Sequence, residues 1–145
     1  MVLTCLLAIG CGGPAAPPAP AASPAPAAAA VDPCPPIGDV HFVCGVKSPE
    51  DLVRIGDTRW LVASGMVAGS GLHAVDTSAK TTTPLFTASV ARSAPDTNRF
   101  AHCPGPLDPA VAVLHGLAIR PAATSGHYTL YATNHGGRQS VEVFD

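Results

Sequence analysis

Residues 114–145 read LHGLAIRPAATSGHYTLYATNHGGRQSVEVFD, and the pattern of this stretch decides the fold. It holds three short runs, 117–120 (LAIR), 128–133 (YTLYAT) and 140–144 (SVEVF). In each, β-branched or aromatic residues alternate with small or polar ones, the period-two pattern of half-buried strands. Pro121 and Gly126 break the first gap, and Gly136-Gly137 break the second. The pattern therefore predicts an antiparallel meander. Strand direction reverses at each turn, so His115, just before the first run, and His135, just after the second, fall at the same end of a small sheet. Two imidazoles on one rim make a candidate site.

Upstream the same pattern recurs. Residues 40–44 (VHFVC) read as a strand, and 52–55 (LVRI) with 60–63 (WLVA) read as a hairpin turned by Gly56-Asp57-Thr58. Residues 72–76 (LHAVD) follow as a strand, then a break at 81–84 (TTTP) and a shorter run at 85–88 (LFTA). Residues 92–110, rich in Pro, Asp and Asn, read as a long excursion between sheets. An internal repeat runs through these segments. Leu61-Val-Ala63 matches Leu130-Tyr-Ala132, and 72–76 (LHAVD) matches 141–145 (VEVFD), both at a spacing of 69 residues. Repeated sets of short strands are the signature of propeller blades, and two such sets are present. The fold class expected is all-β.

The 145 residues carry a net charge of −2 and only 12% charged residues, with no basic stripe, which argues against nucleic acid as a partner. The prolines are concentrated in the first quarter of the chain. Residues 1–11 form a short apolar run, too short to span a bilayer, that resembles the core of a secretion signal. Ala8-Ile-Gly-Cys11 is similar to a bacterial lipobox, with Cys11 as the lipidated residue. Residues 12–38 are Ala/Pro-rich and cannot bury a core, so they read as a semi-stiff extended tether. Residues 39–145 then form the folded part. The expected location is the bacterial cell envelope, periplasmic or outer-membrane anchored, held to the membrane through the lipid.

His115-Gly116 before a strand, a strand ending in Asn134-His135, and the run Val141-Glu-Val-Phe144 resemble the second blade of the paraoxonase/arylesterase family. These are six-bladed β-propellers, related to gluconolactonases and strictosidine synthase-like proteins. The resemblance covers roughly residues 44–145 and implies that two propeller blades are present, the N-terminal portion of a longer protein. It also implies a calcium-dependent esterase or lactonase acting on a small ester or lactone. His115 and His135 would form the catalytic dyad that deprotonates water, and a neutral imidazole suits that role because its pKa lies near neutrality. Glu50 would ligate a catalytic calcium. Asp51 would ligate a structural one, helped by the backbone carbonyl of Leu117. Hard cations want such oxygen donors in numbers, and the family completes the sites with residues of later blades. Calcium binding by this chain alone is therefore expected to be weak or absent, and the chain is expected to be inactive as it stands.

The resemblance also sets Cys44 near the family's N-terminal cysteine, which closes the ring through a disulfide to the last blade. The residues themselves leave Cys34–Cys44 and Cys44–Cys103 open. His41, His73, His102 and His127 match nothing in the family and read as surface or strand residues. Other readings stand beside the hydrolase: a non-catalytic binding module at the envelope, a strictosidine synthase-like relative, and a small β domain with a structural role.

Overall fold

The computed structural model describes residues 34–98 and 101–145. The signal-like segment with Cys11, and the tether as far as residue 33, lie outside them. The described chain forms seven strands and no helix. They are β1 (Pro49–Arg54), β2 (Trp60–Gly65), β3 (Leu72–Asp76), β4 (Thr81–Phe86), β5 (Leu114–Pro121), β6 (Tyr128–Asn134) and β7 (Ser140–Phe144). Two antiparallel sheets result, one ordered β1-β2-β3-β4 and the other β5-β6-β7. The protein is all-β.

Two sequence expectations are corrected. Residues 40–44 form no strand. Only Val40 pairs, in an isolated bridge with Ile37, because Cys34 and Cys44 are disulfide-bonded with their Cα atoms 6.0 Å apart, folding this segment into a loop. The break expected at 81–84 is instead the body of β4. β4 pairs only with β3, so Pro84 sits on an edge strand, where its missing N–H removes nothing from the ladder.

The repeat extends to the register. Leu61 pairs with Val75 as Leu130 pairs with Phe144, and Ala63 pairs with His73 as Ala132 pairs with Glu142. The first strands correspond too. Pro49 faces Gly65 and Leu52 faces Ala63, while Leu114 faces Asn134 and Leu117 faces Ala132. Each first strand thus carries one extra residue between its two pairs, a β-bulge that bends the strand and re-aims its side chains. Glu50-Asp51 occupy this bulge in the first sheet, and His115-Gly116 occupy it in the second.

The sheets share one core. Val62, Leu72 and Phe86 of the first pack with Leu114, Leu130 and Ala132 of the second, together with Ala112 from the incoming loop. The segment before β1 is tied to the first sheet: the Thr82 hydroxyl donates to the Cys44 carbonyl, the Ser70 hydroxyl to that of Lys47, and the Met66 amide to that of Ser48. On the second sheet, Val141 and Val143 of β7 stand 63% and 57% exposed.

His73 is buried in β3, and its Nδ1 has no hydrogen-bond partner. Burial lowers its pKa below the ordinary 6.5, because the charged ring would lose its hydration. The unfolded chain then takes up a proton near pH 6.5 that the fold refuses until lower pH. This contribution to stability is complete above that pH and is lost as pH falls toward the folded value. His73→Leu should flatten this limb. Urea melts of both proteins between pH 7.5 and pH 5 check it, and parallel curves would show that His73 is not the group responsible.

Candidate functional site

The two bulges lie at one rim of the molecule. β5 begins at Leu114, so His115 lies inside the strand rather than just before it. His135 follows the last residue of β6, and its amide donates to the Val113 carbonyl at 2.9 Å. Meander geometry brings the two imidazoles together, with centroids 4.7 Å apart and planes at 75°. Glu50, from the equivalent bulge of the other sheet, places its Oε1 4.0 Å from His115 Nδ1. His115 and Glu50 are about one-third exposed, so a small molecule reaches both. The His135 Nδ1 is bonded to Gln139 Oε1. An amide oxygen only accepts, so this bond needs the proton on Nδ1, and in the neutral ring that leaves the lone pair on Nε2. A bare imidazole nitrogen on an accessible rim is a competent general base.

Asp51 faces the other way along the bulge. Its Oδ1 accepts the Leu52 amide and its Oδ2 the Leu117 amide, both at 2.7 Å, while its own amide donates to the Ser64 hydroxyl. This carboxylate therefore joins the two sheets through backbone amides. The structure brings Asp51 and Leu117 together, with the Leu117 amide as the contact. Glu50 and Asp51 each offer one carboxylate. The described residues hold no group of three or more His, Cys, Asp or Glu arranged around a cation. That donor set falls well short of the six to eight oxygens calcium takes.

Cys44 is paired with Cys34, not with a cysteine elsewhere in a ring, and Cys103 is a free, exposed thiol. Residue patterns alone did not reveal Gln139, which selects the His135 tautomer, or the need for glycine at 136. A Cβ there would collide with the Val111 carbonyl, so Gly136 lets the loop after β6 lie against the strand entry that leads to His115. The Gly136-Gly137 doublet signalled a turn but not this close approach.

No protein-family model matches the chain, and neither a curated protein nor a solved structure matches it. The fold and the rim define a class: an all-β chain of two like antiparallel sheets, whose paired bulges present a carboxylate and an imidazole side by side.

Proposed function

We propose that this chain is the N-terminal, two-blade portion of an exported, lipid-anchored β-propeller hydrolase of the arylesterase/lactonase kind. The observation that carries the proposal is the convergence of Glu50, His115 and His135 on one rim. They come from two sheets and from positions far apart in sequence. Head-to-tail likeness of the sheets, with identical register and bulges, supports the propeller reading, as does the exposed apolar face of the second sheet, which a further blade would cover. In this reading His135 Nε2, backed by His115, removes the proton from a water attacking a small ester or lactone carbonyl. Glu50 orients His115 and, in the full-length parent, contributes to a calcium site whose charge would stabilise the oxyanion. Cys11 anchors the chain at the envelope through its lipid.

The alternative is a non-catalytic binding module at the envelope. The engagement of both Asp51 oxygens with backbone amides favours it, because those amides compete for the oxygens that a cation would need.

One set of measurements on the 145-residue chain and on a longer product carrying further blades separates the two. The short chain should hydrolyse neither an aryl ester nor a lactone above background and should bind calcium no tighter than about millimolar. In the longer product, Glu50→Gln should abolish turnover, and His115→Gln or His135→Gln should lower it by about 10²–10⁴-fold. A palmitate analogue should label the chain but not its Cys11→Ser variant. Robust turnover by the short chain would place the site elsewhere, and a longer product with no turnover would leave the binding module as the better account.

A further inference from the structure

Asn134 is fully buried, although it is a polar residue at the end of a strand. A buried amide of this kind needs its hydrogen bonds made, and here every part of the side chain is used. Oδ1 accepts the amides of Val113 and Gly136, both at 3.1 Å. Nδ2 donates to the carbonyls of Gly136 and Arg138 at 2.9 and 2.8 Å. These partners lie on two segments. Val113 stands two residues before His115, whereas Gly136 and Arg138 lie within the turn, between His135 and Gln139. The first sheet has glycine, Gly65, at the corresponding place in its ladder.

We propose that Asn134 is the positioning residue of the rim: its amide clamps the entry of β5 to the turn after β6, and so holds His115 against His135 and keeps the His135 Nδ1 proton on Gln139. The proposal rests on the rim reading above. Asn134 itself touches no substrate. It acts through the two backbones, as an outer hydrogen-bonding partner fixes a functional imidazole's orientation and tautomer. Without the amide, two N–H groups and two carbonyls, buried or partly buried, lose this partner together, and the turn gains solvent by opening.

The test uses nuclear magnetic resonance of the full chain, with labelled histidine rings. The wild-type protein should show a ring-to-ring nuclear Overhauser contact between His115 and His135, and ring nitrogen shifts of a single Nδ1–H tautomer for His135. Asn134→Ala should lose both signals while the amides of β2 and β6 stay protected from exchange. Val62→Ala, a core truncation in the first sheet, lowers stability without touching the clamp and should keep both. If Asn134→Ala does not fold, Asn134→Asp is read instead. Its carboxylate still accepts from Val113 and Gly136 but cannot donate to Gly136 and Arg138, so the ring contact should survive and the single tautomer should be lost. The proposal is overturned if the ring contact and tautomer persist in Asn134→Ala, if Val62→Ala loses them equally, or if Asn134→Asp keeps the single tautomer. None of these readouts depends on turnover, so a failed hydrolase reading and a failed clamp are told apart.

Discussion

Phe86→Ala is expected to lower the unfolding free energy by about 3–5 kcal/mol. Phe86 ends β4 in the first sheet, and its ring meets that of Phe144 in β7, with centroids 5.1 Å apart and an edge-to-face angle of 63°. The pair joins the outermost strands of the two sheets. Truncation would leave a cavity along the seam and remove an aromatic contact worth roughly 0.5–1.5 kcal/mol beyond its buried area. A small domain has only about 5–15 kcal/mol in hand, so a large share would go in one step. Phe86→Leu keeps most of the volume and should cost less. Urea melts followed by Trp60 fluorescence measure both, and an unchanged midpoint for Phe86→Ala would show that the sheets do not share this core.

Arg138→Ala should cost about 2–3 kcal/mol, through the partner it leaves behind rather than through the charge removed. Arg138 Nε and Nη2 donate to the two oxygens of Glu142 at 2.8 and 2.7 Å, and Nη1 donates to the Gly105 carbonyl at 2.8 Å. The Glu142 side chain is only 13% exposed, so the variant strands a carboxylate with little water to replace the guanidinium. The hydrogen bonds from Arg138 are the main cause that holds the Glu142 pKa below its ordinary 4.5, and the same bonds raise that of Arg138. A depressed carboxylate stabilises the fold fully above its unfolded value and loses that contribution as pH falls through the folded one. The wild-type protein should therefore lose this increment below about pH 4.5, and Arg138→Ala should keep only the smaller part that the Ser140 hydroxyl supplies. Arg138→Ala with Glu142→Gln should recover part of the loss, since a neutral amide is cheaper to leave unpaired. Equal melts for the wild type and Arg138→Ala at pH 7 would rule the account out.

Much of the fold is legible along the chain, and the failures have physical causes. β7 spans 140–144 as its alternation predicts, and β5 and β6 extend only a few residues beyond their predicted runs. Pro84 hid β4, because proline reads as a breaker unless the strand is known to lie at an edge, and edge position is decided by the whole sheet. The apolar run 40–44 passed for a strand because hydrophobicity alone does not reveal a disulfide loop. At the rim, alternation and strand reversal place His115 and His135 at one end, but nothing local places Glu50 beside them. That contact needs the first sheet to carry the same bulge as the second.

The sequence alone determined the strands, their turns and the likeness of the two sheets. Period-two patterning, glycine and proline breaks, and a spacing of 69 residues are local or repetitive signals that survive without tertiary contacts. The tertiary structure decided which groups meet. Asp51 reaches the Leu117 amide, Asn134 joins Val113 to Gly136, and Glu50 stands beside His115 only because packed sheets fix bulge register and approach. Such contacts link residues distant in sequence, and their partners are selected by burial and hydrogen-bond geometry, which no one-dimensional pattern records.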